Sequence, residues 1–401
     1  METMINGAKR LWNNSYFRVP FFSIFVVISF FVLPVETRNV FVPAVIGFFL
    51  SNLITSLVNS YKNSREDKVK SKQDGSFLKK VYYEEDVKKV PIVIDYNGLK
   101  REVYFKTIID SPKKIIFEHK PEMFMLDDLF STFYFDILKS HSNSYIKNVD
   151  TLRLYDIDSK KDDDGETTYI LKTQKTNYFD HLLTNRAIDY PIRGSASLRH
   201  IYEPGPVLRP LSESSFANQI GFNCMVILSD HTIIIPRRSK NATYSKDKVT
   251  ASLTGRLPVS LKTGSTEKDL ELFVKKQAKE KLGINEKYLN SDVEFKICSI
   301  VQDIYEGGKP QIYFTLKLNT LSSLDYFKER GSSLINRCDP YQLDRDIRFY
   351  VTNLGDIKFV GRKDKISINS KYDKKGRVRL KPEKSFYLCL SYTQKYKVNE
   401  L

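Results

Sequence analysis

The stretch Gly221-Phe-Asn-Cys-Met-Val-Ile-Leu-Ser-Asp-His-Thr-Ile-Ile-Ile-Pro-Arg-Arg238 decides the fold of this chain. Two short apolar runs, Gly221–Leu228 and Thr232–Pro236, flank the turn residues Ser229-Asp230-His231. Runs of this length that are rich in β-branched residues and separated by a polar turn predict a β-hairpin. The second strand ends in Arg237 and Arg238, so the hairpin delivers two cations to its end.

A polar loop and a helix follow the hairpin. The loop covers Ser239–Val249, and the helix begins after Ser265-Thr266. Its apolar stripe repeats at helical spacing, and Gly283 is placed to end it. The stripe consists of Leu270, Phe273, Val274, Ala278 and Leu282. Strands resume at Val293–Gln302 and Gln311–Asn319, which completes a mixed α/β pattern over residues 205–395.

Residues 81–204 predict a smaller α/β extension. Val90–Thr107 reads as a hairpin, because Asn97-Gly98 is a strong two-residue turn signal. The remaining elements alternate between helix and strand, with no repeat and no low-complexity tract. They are a helix over Leu126–Leu138, strands over Leu152–Leu154 and Thr168–Leu171, and a helix over Tyr178–Asn185.

The N-terminal 62 residues predict a transmembrane hairpin. Val19–Val35 and Val40–Val58 contain no charged residue, and Glu36–Asn39 joins them. Each run is long enough for a helix close to the ~30 Å hydrocarbon thickness of a bilayer. Basic residues flank both outer ends, so the positive-inside rule predicts a multi-pass inner-membrane protein with both termini in the cytoplasm. Residues 63–80 are charged and poor in apolar residues, which predicts a flexible linker.

The second apolar run has a polar face with two interpretations. Small and polar residues recur every four positions and therefore share one helix face. This face either packs against the first helix within one chain, or mediates association between chains or lines a polar path once several chains assemble. The residues are Gly47, Ser51, Asn52, Thr55 and Ser56.

Charge and cysteine content restrict the partners. The formal charge is +16, from 64 Lys+Arg against 48 Asp+Glu. This excess suits either an anionic lipid surface or a polyanionic ligand such as a nucleotide. The four cysteines, Cys224, Cys298, Cys338 and Cys389, are far apart and indicate neither a zinc site nor a disulfide framework.

The order of strand, turn, strand ending in Arg-Arg, loop and helix ending in Leu-Gly-Ile resembles the Nudix fold, an α/β/α sandwich. The Nudix signature is G-x5-E-x7-R-E-U-x-E-E-x-G-U, where U is a bulky apolar residue. Aligned on Gly283, its arginine falls on Lys276, the next acid on Gln277, and the paired acids on Glu280 and Lys281. Gly307–Gln311 also resembles a loop and strand of some members.

The replaced acids of the Nudix signature argue against hydrolysis. Nudix enzymes need several carboxylates on the helix to hold Mg²⁺ and activate water. One glutamate, Glu280, between Lys279 and Lys281 cannot supply them, because the lysines repel a divalent cation. We therefore expect no catalytic residue, no metal and no resident cofactor.

A fold that has lost its catalytic acids suggests a pocket kept for binding. Lysine and arginine could hold phosphates directly, and aromatic rings could stack a base. The expected ligand-binding residues are Arg237, Arg238, Lys246, Lys248, Arg256, Lys276, Phe222 and Tyr313.

The predicted fold class is therefore α+β, with a two-helix transmembrane hairpin before a Nudix-like α/β/α sandwich that carries an N-terminal α/β extension. The whole resembles the two-transmembrane Nudix-like (TM-NUDIX) effectors of bacterial CBASS antiphage defence. That resemblance implies a cyclic di- or trinucleotide made by a partner nucleotidyltransferase, self-association of chains, and disruption of the lipid bilayer. Two alternatives stay open: a membrane-tethered Nudix pyrophosphatase that uses Asp303 or Glu306, and a membrane-anchored scaffold.

Overall fold

The computed structural model describes residues 34–72, 74–82, 92–96, 99–141, 146–193, 196–239, 245–330, 347–360, 365–369 and 377–398. The chain divides into two compact units, Met1–Arg65 and Glu66–Leu401. Within the described residues the fold is mixed α/β.

One helix, α1 (Val35–Lys68), accounts for almost all of the described part of the first unit. The turn expected at Glu36–Asn39 lies inside α1, so its charged residues belong to the same helix as the apolar run Val40–Val58. In the part of the chain that the structure describes, no helix is both long enough and apolar enough to cross a membrane. The predicted fold class is therefore wrong in its transmembrane hairpin, and so is the multi-pass inner-membrane location. Most of the run Val19–Val35 lies outside the described residues.

The stretch expected to be a flexible linker, residues 63–80, contains regular structure. Helix α1 continues to Lys68, and α2 (Gly75–Val81) follows the cap Asp74, whose carboxylate accepts the Ser76 N–H at 2.9 Å. The side chains of Glu66, Val69 and Leu78 are buried. Composition suggested a linker because charged residues dominate, but these three buried side chains order the segment.

Small elements follow α2. They are β1 (Ile92–Tyr96), β2 (Leu99–Val103), β3 (Phe105–Asp110), β4 (Lys114–Met123), α3 (Asp128–Ser131), α4 (Tyr134–Ser140), β5 (Asp150–Lys161), β6 (Thr167–Asn177), α5 (Tyr178–His181), β7 (Pro191–Arg193), β8 (Ala196–Ser197) and α6 (Leu198–Tyr202). β1 and β2 pair antiparallel, with Ile92 opposite Val103, around the predicted Asn97-Gly98 turn, which lies outside the described residues. A separate sheet has the order β4-β6-β5.

The rest of the chain builds the main sheet and its helices. The elements are β9 (Gly221–Leu228), β10 (Thr232–Arg237), β11 (Lys248–Val249), β12 (Leu253–Arg256), α7 (Glu267–Leu282), α8 (Glu286–Leu289), β13 (Val293–Asp303), β14 (Lys309–Leu318), α9 (Ser323–Arg330), β15 (Arg348–Asn353), β16 (Lys358–Phe359), β17 (Ile366–Asn369), β18 (Arg377–Pro382) and α10 (Lys384–Val398). The strand order is β16-β17-β18-β11-β10-β9-β14-β13-β3, with β12 paired to β9 and β15 paired to β10.

Strand β9 is buried on both faces, which explains its unbroken apolar sequence. Phe222 and Val226 join the core that contains Val274 of α7. Met225, which points to the opposite face, joins the core that contains Phe386 of α10. Helices α7 and α10 therefore cover opposite faces of the sheet, which gives three layers.

Helix α7 begins and ends where the sequence predicts. The Thr266 side chain accepts a helix N–H, and Asp269 completes a capping box. Gly283 follows the helix at φ 62° in the left-handed region, where glycine is favoured. These two signals fix the length of the helix that carries the Nudix-like positions.

Candidate functional site

Several strand ends meet at one edge of the main sheet. Gly221, the first residue of β9, lies opposite Arg256 of β12 and Gln311 of β14. Strand β10 runs antiparallel to β9, with Ile233 opposite Ile227, so its C-terminal end lies at this same edge. Polar residues that are far apart in the sequence therefore come together here.

Tyr178 lies among three arginines at this edge. The Arg256 guanidinium carbon is 5.1 Å from the centre of the Tyr178 ring. Burial raises the pKa of Tyr178, and the positive charges of Arg186, Arg256 and Arg238 oppose that rise. The Arg256 guanidinium therefore lies over the Tyr178 ring, and the charges of Arg186 and Arg238 act on the same phenol.

Glu306 anchors the buried side of the site. Its carboxylate is fully buried, with Arg186 Nη1 3.0 Å from Oε1 and Lys309 Nζ 3.0 Å from Oε2. Burial alone would raise the pKa of Glu306, but neighbouring positive charges, that of Lys309 first, hold it below its usual value. Burial also lowers the pKa of His181, whose Nε2 lies 4.0 Å from Glu306. Glu306 is therefore an ionised partner of two cations.

The turn after Glu306 depends on glycine. Gly307 and Gly308 have φ values of 61° and 84°, which L side chains rarely adopt. A Cβ on Gly307 would lie 2.2 Å from Cδ1 of Ile188. The tight turn lets Lys309 reach back to Glu306, which accounts for the two glycines before Lys309.

We call Arg186, Arg238, Lys246, Arg256 and Lys309 the basic cluster. Arg186 and Lys309 are buried, Arg238 and Lys246 are half-buried, and Arg256 is exposed. Two buried carboxylates, Glu66 and Glu306, contact members of the cluster. Among these seven side chains, five positive charges outnumber two negative ones. Such an excess attracts anions, and most strongly where water is partly excluded.

Glu66 and His141 connect Lys246 with Arg186. The Glu66 carboxylate accepts from Lys246 Nζ at 2.6 Å and lies 3.2 Å from Lys70 Nζ. Nδ1 of His141 is 4.0 Å from Glu66. Burial and then the charge of Arg186 lower the pKa of His141 to about 4, so Arg186 and Glu66 both act on the same imidazole.

Two predicted ligand-binding cations, Arg237 and Lys276, lie beside carboxylates, and Lys248 contributes a backbone contact. Arg237 pairs with Asp247 at 2.6 Å. The Lys248 carbonyl accepts the backbone N–H of Arg238 at 2.9 Å. Lys276 is exposed on α7, 4.0 Å from Glu280. Of the predicted set, Arg238, Lys246 and Arg256 enter the basic cluster.

The two predicted stacking aromatics are core residues. Phe222 is 1% exposed and packs edge-on against Phe273, with centroids 5.1 Å apart. Tyr313 is also 1% exposed and lies in the core on the opposite face. Neither presents a ring to solvent, and Tyr178 is the aromatic residue that lies beside the cations.

The Nudix-like positions of α7 make contacts within the protein. Gln277 donates to the Glu280 carboxylate at 3.0 Å. Lys281 donates to the Thr254 carbonyl at 2.7 Å and lies 5.5 Å from the Phe222 ring centre. Gly283 ends the helix. Lys281 therefore ties α7 to β12, whereas the contact between Gln277 and Glu280 stays within α7.

The polar face of α1 is exposed. Asn52 donates to the carbonyl of Phe48 in its own helix at 2.8 Å. The other residues predicted to mediate association are exposed as well. They are Gly47, Ser51, Thr55 and Ser56.

Sequence reasoning missed Tyr178, Arg186, Lys309, Glu66 and His141. One signal was present, because two glycines before Lys309 indicate a special turn. The others come from segments far apart in the sequence, and only the fold brings them to Arg238 and Arg256.

Asp303 and Glu306, the acids on which a pyrophosphatase would depend, are not arranged as a metal-binding pair. Burial raises the pKa of Asp303, and the charge of Glu306 raises it further, which favours the neutral acid. Glu306 is engaged by Arg186 and Lys309. Among the described side chains, no group of three His, Cys, Asp or Glu is placed to hold a metal ion.

Comparison with known proteins gave no family. No known protein-family model matches this chain, and a search of curated proteins found no match.

Proposed function

We propose that this chain is a non-catalytic receptor for an anionic nucleotide, and that a cyclic di- or trinucleotide is its ligand. The observation that carries this proposal is the basic cluster, with Arg256 over the Tyr178 ring. The charges of Arg186 and Arg238 act on the same phenol, and Lys309 and Lys246 pair with the buried carboxylates of Glu306 and Glu66.

The chemistry of these groups suits a nucleotide. Guanidinium groups bind phosphate through two parallel hydrogen bonds, and an ammonium adds a compact charge. A tyrosine ring and a guanidinium plane both stack on bases. Arg256 is exposed whereas Arg186 and Lys309 are buried, so a ligand would enter past Arg256.

The contacts of α7 support a role without catalysis. Glu280, the one surviving acid of the Nudix signature, accepts a hydrogen bond from Gln277, and Lys281 holds the Thr254 carbonyl. The proposal keeps ligand sensing, supply of the ligand by a nucleotidyltransferase, and self-association as the elements of an antiphage effector. It contains no membrane step, because no helix in the described residues is long and apolar enough to cross a membrane.

The test uses the full-length chain and a panel of cyclic di- and trinucleotides. A ligand that binds only the folded state raises the melting temperature. We expect a selective rise with one class of ligand, recovered intact by chromatography. Arg256→Gln should weaken the affinity about tenfold, or 1.4 kcal/mol. Arg101→Gln is the matched control, because Arg101 also lies over a ring, that of Phe359 at 5.9 Å, and is not a member of the cluster.

Each other outcome contradicts the proposal in its own way. Mg²⁺-dependent breakdown of the ligand would favour the pyrophosphatase. Equal, salt-sensitive binding of unrelated nucleic acids would favour the scaffold. If the melting temperature stays unchanged with every ligand, the chain is not a nucleotide receptor.

A further inference from the structure

Glu66 is a buried carboxylate that the proposed receptor function does not use. It lies in the last turn of α1 and begins the second compact unit. Its side chain is 1% exposed, with Lys246 Nζ at 2.6 Å and Lys70 Nζ at 3.2 Å. Burying a carboxylate is costly unless cations compensate, so these contacts hold the segment in place.

The surroundings of Glu66 are those of an anion site. Two ammonium groups face its oxygens, as they would face a phosphate. His141 is fully buried beside it, and neither ring nitrogen of His141 has a hydrogen-bond partner among the described residues. The carboxylate of Glu66 therefore occupies a position that can serve another anion.

This position is continuous with the basic cluster. Lys246 belongs to the cluster and also binds Glu66. Arg186, the buried arginine that pairs with Glu306, acts on the same imidazole as Glu66. A polyanion on the cluster would therefore compete with Glu66 for Lys246.

We propose that Glu66 is an internal competitor for the ligand-binding site, and that a bound phosphate takes Lys246 from Glu66 and releases residues 66–72. This inference rests on the proposed function and adds its regulation. Release breaks contacts between this segment and the rest of the fold. Val69 packs with Phe130 in a small apolar core, and the Lys72 N–H donates to Asp189 at 2.7 Å. Ligand and release are coupled because the ligand binds the released state more tightly.

The first test measures competition with inorganic tripolyphosphate as a base-free probe. Glu66→Gln removes the competing charge and keeps the shape, so the full-length variant should bind the probe at least about fivefold more tightly, or 1 kcal/mol. Asp67→Asn is the matched control. It makes the same charge change one residue away, at a side chain that is 74% exposed and pairs with Lys70 at 3.1 Å.

The second test measures release in the wild-type protein, so it does not depend on a variant that folds. Lys68, Lys70 and Lys72 are trypsin sites in the segment. Tripolyphosphate should speed cleavage there severalfold, and Glu66→Gln should be cut fast without it. Slower or unchanged cleavage with the probe would overturn the proposal, as would an affinity for Glu66→Gln equal to or below that of the wild type.

The two tests separate this inference from the proposed function. Suppose that no cyclic nucleotide binds but Glu66→Gln gains affinity for tripolyphosphate. The competition by Glu66 is then supported, and the proposal that the ligand is a cyclic nucleotide is contradicted. If cyclic nucleotides bind the wild type and Glu66→Gln with equal affinity, the receptor function is supported and the competition by Glu66 is contradicted.

Discussion

At the scale of single residues, the site depends on how burial sets charge. Glu306 and Glu66 stay ionised because each faces two cations, whereas His141 and His181 lose affinity for protons because they are buried. A protonated His141 would be a third cation beside Glu66 and would add a buried charge. A neutral imidazole therefore suits a site that already has an excess of positive charge.

His141 should make stability depend on pH. Its pKa is about 4 in the folded protein, because of burial and then the charge of Arg186, against about 6.5 when unfolded. The unfolded state binds the proton first as the pH falls, so stability is lost between these two values. The loss approaches about 3 kcal/mol below pH 4. Urea unfolding from pH 7 to pH 4 should show a steeper fall for the wild type than for His141→Gln.

The control is His119→Gln, at a half-buried histidine whose Nδ1 lies 3.4 Å from Thr173 Oγ1. It makes the same substitution at a histidine in another part of the fold and so controls for the loss of an imidazole. Comparing variants matters, because burial raises the pKa of Glu203 to about 7 and therefore opposes the trend of His141. Curves for the wild type and His141→Gln that run in parallel would mean that His141 is protonated equally in both states.

At the scale of elements, sequence and structure agree where local rules decide. The apolar stripe predicted α7, and Thr266 and Gly283 supply its ends. Strands β9 and β10 follow the two apolar runs. The role of Phe222 could not be predicted, because a continuous apolar strand does not show which of its faces is covered. The site was predictable only in part, since Arg186 and Tyr178 reach Arg256 through tertiary structure.

Gly283 gives a direct test of how α7 ends. Its φ of 62° lies in the left-handed region, so Gly283→Ala should cost about 1 kcal/mol in the free energy of unfolding. Gly283→Asn should cost less, because asparagine tolerates this conformation. The midpoint of urea unfolding measures both. An alanine variant as stable as the wild type would show that the helix ends differently, and would weaken the alignment of its Nudix-like positions.

At the scale of the whole molecule, the net charge of +16 permits two kinds of anion binding. A general basic surface attracts any polyanion, and its affinity falls steeply with salt. A built site adds contacts that salt screens less, since buried charges are less accessible to ions. The basic cluster combines the two kinds of contact. Arg186 and Lys309 are buried, as in a built site, and Arg256 is exposed, as on a general basic surface.

Salt dependence should therefore separate the cluster from the general surface. Affinity for the cyclic nucleotide should fall between about 50 and 500 mM KCl, and Arg256→Gln should reduce the slope of log Kd against log salt by about one phosphate contact. Removing Lys276, an exposed cation on α7, by Lys276→Gln should leave both affinity and slope unchanged. Unstructured single-stranded DNA should show equal slopes in all three proteins. A built site would distinguish the two cations. If Arg256→Gln and Lys276→Gln reduce the slope for the cyclic nucleotide equally, binding depends only on the total charge of the protein.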